Sequence, residues 1–132
     1  MRYLLDTNVV IGLLNGTAPQ AARGLRQKRP GDVAVSAVVL HELYFGAYRS
    51  ARVERNLVVV DALRFVVLDF DRDDARHAGE VRALLAKVRT PIGPYDVLIA
   101  GQARARGLIL LTGNLAEFTR VPGLRAEHWD AA

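Results

Sequence analysis

The sequence predicts an α/β fold: one domain with a mostly parallel central sheet flanked by helices. Three observations predict it. Short apolar, β-prone runs alternate with longer stretches of helical periodicity along the whole chain, the pattern of a sheet built through helical crossovers. The 132 residues match the length of one domain and suffice to bury a real core. No repeat, low-complexity tract or linker divides them, so a single domain over residues 1–132 is expected.

The elements follow in order. Residues 2–6 read as a short buried strand ending in Asp6. Thr7 or Asn8 is a suitable N-cap for a helix over Val9–Leu14, which Asn15-Gly16 closes. A basic amphipathic segment runs from about Pro19 to Lys28, and Arg29–Asp32 is a loop. Val33–Val35 is a brief strand, and Ser36 caps a helix reaching about Arg49. Residues 51–63 carry Val53, Leu57, Val60 and Leu63 at helical spacing, and Phe65–Leu68 is β-rich. Asp71–Arg89 reads as a long helix with Ala75, Ala78, Val81, Leu84, Leu85 and Val88 on one face, and an acidic first turn of Asp71, Asp73 and Asp74. Pro91–Pro94 breaks the chain. A helix from Pro94 to about Arg106 follows, with Gly107 as its C′ residue and Arg104 and Arg106 complementing its C-terminal end. Leu108–Leu111 is a buried strand, Asn114–Phe118 one helical turn, and Arg125–Glu127 a last edge strand.

Composition narrows the class. An apolar fraction of 51% argues against disorder. No apolar run approaches the ~18 residues of a membrane span, and Asp6 and Asn8 interrupt the N-terminus too early for a signal peptide. The absence of cysteine excludes disulfides and thiolate metal sites and agrees with a cytoplasmic location. A net charge of +4 and an isoelectric point near 10.0 favour an anionic partner, nucleic acid first. Nearly all of the 18 basic residues are Arg, which biased nucleotide composition also produces, so the charge gains meaning only beside a site able to cleave a phosphodiester.

Three acids stand where an apolar chain has little reason to put them. Asp6 ends the first strand, and Asp96 lies in the first turn of the helix after Gly93-Pro94. Glu42 has Val38 and Val39 one turn before it and Phe45 and Gly46 one turn after. Isolated buried carboxylates are costly, and three converging on one point repel each other unless a cation holds them. Each has a plainer reading: a helix cap for Asp6, a favourable helix-dipole position for Asp96, a salt bridge to an Arg for Glu42. In an open parallel sheet, ligands bind beyond the carboxyl ends of the strands, where Asp6 and Thr112-Gly113-Asn114 both fall. Oxygen-only ligands suit Mg²⁺ or Mn²⁺. His41, His77 and His128 lack zinc-ligand spacing. His41 reads as an exposed or hydrogen-bonded helix residue, Tyr44, Phe45 and Tyr48 as packing or dimer contacts, and Trp129 as a packing residue.

Four segments in order resemble the PIN domain, specifically the VapC-type toxins of type II toxin–antitoxin systems. They are Leu4–Asn8, Ser36–Gly46, Ile92–Ala100 and Leu111–Phe118, and Val121–Trp129 also fits. The resemblance implies a Mg²⁺- or Mn²⁺-dependent endoribonuclease with Asp6, Glu42 and Asp96 as its principal acids. Asp6 and Asp96 would be the direct metal ligands, and Glu42 would complete the site or orient a water. Thr7, Asn8 and Thr112 match polar positions that brace such a site. Many PIN domains carry a fourth acid where this chain has Asn114, and Glu117 one turn later is the nearest substitute. The resemblance further implies a homodimer that cuts RNA, often tRNA, arrests translation and is neutralised by a VapB-type antitoxin, which supplies any contact with operator DNA. Two other readings compete: a haloacid-dehalogenase-like phosphatase with Asp6 as nucleophile, against which Asn8 stands where that family has a second Asp, and a degenerate module that binds RNA or protein without cleaving.

Overall fold

The computed structural model describes residues 1–129. The elements are β1 (Tyr3–Leu5), α1 (Thr7–Asn15), α2 (Pro19–Arg26), a 3-10 turn at Pro30–Asp32, β2 (Val33–Ser36), α3 (Ala37–Arg49), α4 (Val53–Asp61), β3 (Val66–Leu68), α5 (Arg72–Lys87), α6 (Pro94–Ala105), β4 (Ile109–Leu111), α7 (Leu115–Phe118) and β5 (Arg125–Glu127). The strands form one sheet in the order β3-β2-β1-β4-β5, and every pairing is parallel. Every residue of β1, β2 and β4 is buried, so helices cover both faces of the sheet centre. Leu4, Leu5, Leu110 and Leu111 are almost wholly withdrawn from water, each contributing about 1.5–3 kcal/mol of hydrophobic stabilisation. β3 and β5 are the exposed edges.

The strand order determines where a ligand can enter. From central β1 the chain moves outward to β2 and β3, then returns past β1 to β4 and β5. The crossovers therefore reverse between β1 and β4, opening a crevice at their carboxyl ends. Leu5 pairs with Val35 on one side and Leu111 on the other. The next residues, Asp6, Ser36 and Thr112, thus emerge side by side.

Several local details differ from the sequence reading. The N-cap of α1 is Asp6 rather than Thr7 or Asn8: its backbone is extended and its Oδ1 accepts from the Val9 N–H at 2.9 Å. The strand ends at Leu5, which leaves Asp6 as the half-helical residue and Thr7 already inside the helix. The helix expected over 51–63 is shorter, and Leu63 lies beyond it. On α5 the buried face is Asp74, Ala78, Val81 and Leu85, while Ala75, Leu84 and Val88 are exposed. Arg89 has φ 60 and ends the helix before the expected boundary. Gly16 and Gly107, at φ 76 and 63, close α1 and α6 in the left-handed region that glycine enters without strain.

Asp74 explains the shift of the α5 face. It is 1% exposed and forms a reciprocal capping box with Asp71. Its carboxylate also accepts from Gln102 Nε2 at 2.8 Å and from Arg106 Nε and Nη2 at 3.1 and 2.9 Å. Burial pushes the Asp74 carboxyl up, but the hydrogen bonds from Arg106, the Asp71 backbone and Gln102 outweigh it and hold the group below the usual carboxylate range. Arg104 in the last turn of α6 and Arg106 at its C-cap also bond beyond their own helix. Arg106 ties it to the start of α5, and Arg104 reaches His77, Glu80 and the Pro122 carbonyl.

The two helices meet most closely at Gly101, where an added Cβ would stand 2.4 Å from the Ala78 Cα. Backbone cannot yield there as a flexible side chain would. Gly101→Val should destabilise the domain by about 1–3 kcal/mol or more, read as a lower urea midpoint; an unchanged midpoint would contradict this packing. Among the described residues no helix is long and apolar enough to cross a membrane.

Candidate active site

Asp6 is 4% exposed at the carboxyl end of β1. Its two oxygens have separate partners. Oδ1 caps α1, and Oδ2 accepts from the Thr112 hydroxyl at 2.5 Å across the crevice. Thr112 is fully buried, and its Oγ1 in turn accepts from the Asn114 N–H at 2.9 Å, which fixes the turn after β4. Glu42 comes from α3, and its Oε1 accepts from Thr7 Oγ1 at 2.7 Å. Thr7 sits in the first turn of α1, so this bond ties α3 to α1 beside Asp6.

Asp96 lies in the first turn of α6, after Gly93 as N-cap and Pro94 at the first helical position. The missing Gly93 side chain gives Asp96 its place: a Cβ there would stand 2.9 Å from Asp96 Oδ2. The Gly93 N–H donates to Glu117 Oε1 at 3.2 Å, and the Asn114 amide donates to Glu117 Oε2. Asn114, the residue at the fourth-acid position, thus orients an acid one turn later.

Asp96 lies within electrostatic reach of Glu117, Asp6 and Glu42. Burial, followed by the carboxylates of Glu117, Asp6 and Glu42, raises the Asp96 carboxyl from its usual 3.8 to about 6. Asp6 is also raised, by burial first and then by Glu42, against the hydrogen bonds from Thr112 and Val9. Among the described residues the ion pairs join Met1 to Asp32, Arg104 to Glu80, and Arg106 to Asp71 and Asp74. The four acids therefore face one another without a Lys or Arg between them, and the salt-bridge reading of Glu42 is not borne out. Among the same residues no three acid or histidine side chains are already drawn into a tight cation cage. Asp6, Glu42 and Glu117 are each held by a hydroxyl or N–H donor.

The structure brings together Asp6, Thr7, Glu42, Asp96, Thr112, Asn114 and Glu117. Asn8 is exposed and instead lines a neighbouring cleft. His41 lies at the rim, its ring centroid 5.4 Å from that of Tyr95. Gly93 escaped the sequence reading as a site residue. The signal was present in a Gly-Pro pair three residues before an acid, but it reads first as a helix breaker.

Comparison with known proteins agrees with this geometry. The PIN domain model matches residues 3–124, a span that contains all four acids. The chain belongs to the PIN domain family. This PIN domain is 44% identical over 131 residues to the tRNA(fMet)-specific endonuclease VapC of Shigella flexneri and 43% identical over 131 residues to the protein of the same name in Salmonella typhimurium, with 98% of each chain covered in both cases. It falls within the VapC group. Its fold matches a chain of the DNA-bound VapBC complex of Salmonella typhimurium with a TM-score of 0.92 at 41% identity, covering 98% of this chain and 99% of that one.

Proposed function

We propose that this PIN domain is the toxin of a type II toxin–antitoxin pair, a Mg²⁺- or Mn²⁺-dependent endoribonuclease that cuts RNA, tRNA being the leading substrate class, and thereby inhibits translation. The observation that carries this reading is the set of four carboxylates, without a basic partner, at the switch point of a chain similar over nearly its full length to VapC endonucleases. The donor set is all oxygen, which fits Mg²⁺ or Mn²⁺ rather than zinc. Asp6 and Asp96 are the assigned ligands, Glu42 completes the site or orients a water, and Glu117 takes the part of the fourth acid. A bound divalent cation supplies Lewis acidity and neutralises charge developing on the phosphate.

The chain's own residues supply the positioning. Thr112 and the α1 N-terminus hold the two oxygens of Asp6, Thr7 holds Glu42, and the Gly93 N–H with Asn114 holds Glu117. Such outer-sphere partners typically matter 10–100-fold in metal affinity or activity. Thr112→Val, nearly isosteric but unable to donate, should therefore slow cleavage by about 10–100-fold; kinetics indistinguishable from the parent would remove Thr112 from the machinery.

The similarity to a VapBC complex supports a VapB-type antitoxin as partner, operator DNA reached only through that antitoxin, and a cytoplasmic setting. We assign a homodimer as the working assembly on family grounds. The deciding assay incubates the purified chain with total RNA and Mg²⁺ or Mn²⁺. Cleavage that stops with EDTA and with the co-expressed antitoxin is expected. Failure to cleave any RNA with either metal, or cleavage that persists in EDTA, would overturn the reading.

A further inference from the structure

A cleft of about 220 Å³ lies between the α1–α2 pair and the turn after β4, next to Asp6 through the shared residue Thr112. Asn8, Gln20, Thr112, Gly113, His128 and Trp129 stand on its walls. We infer that this cleft holds a nucleobase next to the scissile phosphate, and that Gln20 helps set which base is accepted. The inference rests on the nuclease reading of the acids and adds a recognition site to it.

Continuity with the acids comes first. Thr112 belongs to both places: its hydroxyl donates to Asp6 Oδ2 while the residue lines the cleft. Asn8 lies two residues beyond Asp6, on the first turn of α1. A strand whose phosphate reaches the acids therefore has the cleft as the adjoining space for a neighbouring base.

The lining chemistry also differs sharply from that of the acid side. No carboxylate lines the cleft; its polar groups are two amides, two hydroxyls, an imidazole and backbone, set beside an indole. Asn and Gln amides present a donor and an acceptor together, which is what the edge of a base requires, and unstacked RNA bases are read by such groups beside aromatic rings. A site for a second phosphate would instead call for Arg or Lys on these walls.

The walls are also fixed. An added Cβ at Gly12 would meet the Ala18 Cβ at 2.8 Å, so α1 and the start of α2 are in close contact at the cleft floor. Trp129 is held against α2, its ring edge-on to Tyr3 at 5.1 Å between centroids and packed over Gly24. A pre-shaped cleft discriminates between bases better than one that must form around them. Gln20 is exposed on the first turn of α2, so replacing it does not disturb the core.

The test measures binding of short single-stranded oligoribonucleotides that differ in one base, by fluorescence anisotropy. The protein is the full chain carrying Asp6→Asn, which prevents cleavage during the measurement. This parent should prefer one or two bases. Gln20→Ala should reduce that preference by about tenfold, in the range of one lost base-edge contact, with the salt dependence of binding unchanged. Gln20→Trp, which fills the cleft, should weaken binding of all the oligonucleotides. Equal base preference and affinity in both Gln20 variants would overturn the proposal. So would a Gln20→Trp chain that binds RNA normally but no longer binds its antitoxin, since the cleft would then belong to the protein partner. Failure of the nuclease reading shows separately, as oligonucleotides bound but never cut by the chain with Asp6 intact and Mn²⁺ present.

Discussion

Asp6→Asn is expected to abolish RNA cleavage while leaving the metal-free chain folded. Asn keeps an oxygen for the Val9 N–H, and it is as good an N-cap as Asp, so α1 should survive, although its amide turns a donor toward the Thr112 hydroxyl that Asp6 Oδ2 accepts from. The charge is lost from a site where burial and Glu42 already disfavour it. Removing it therefore relieves repulsion in the absence of metal, which offsets the lost Thr112 hydrogen bond, and deletes a proposed metal ligand. The activity loss should exceed the roughly 100-fold upper range for outer-sphere residues such as Thr112. A large activity loss with a melting temperature in EDTA close to the parent's marks a group kept for function rather than for the fold. A variant that retains activity, or one that is inactive only because it is unfolded by circular dichroism, would contradict this assignment.

The second large effect is a metal-dependent reversal in how stability responds to pH. The folded-state value of Asp96 is about 6, against an ordinary 3.8. A carboxyl raised on folding contributes stability that is fully present below 3.8 and is lost as pH rises through about 6, because the unfolded chain releases its proton first. In EDTA, raising the pH from 4 to 7.5 should therefore destabilise the parent relative to Asp96→Asn, which lacks this titration. The comparison with the variant is needed because groups such as Asp74, held below the usual range, give the opposite slope. Added Mn²⁺ should reverse the difference in slope, because it favours the ionised form and binds more tightly as the pH rises. At limiting Mn²⁺, cleavage should fall as the pH drops below about 6, where protons compete for Asp96. Identical pH profiles for parent and variant in EDTA would show that the other carboxylates do not press on Asp96.

Much of this site was legible in the sequence because its signals are local. An acid at the end of an apolar strand, an acid among apolar neighbours on a helix and an acid after Gly-Pro are each visible within a few residues. Their convergence required the register that sets Leu5 beside Leu111, and hence Asp6 beside Thr112. The bond between those two side chains spans 106 positions, and no local pattern encodes it. The α5 face was misassigned for the same reason. Leu84 and Val88 looked like core by hydrophobicity, while the buried position went to Asp74, whose partner Arg106 lies 32 residues away. Gly93 is a further case: its role is the space it leaves for Asp96, which appears only when both are placed. Glu117 was legible as the nearest acid to Asn114, but the amide and the Gly93 N–H that orient it were not.

The proposed role of these carboxylates is to hold a divalent cation. Calorimetric titration of Mn²⁺ into the full chain, with Asp6→Asn and Asp96→Asn titrated alongside at pH 7.5, tests it most directly. Saturable binding by the parent, lost in both variants while their far-ultraviolet spectra remain native, is the predicted result. Absence of binding above background in the parent, or equal affinity in all three proteins, would contradict it.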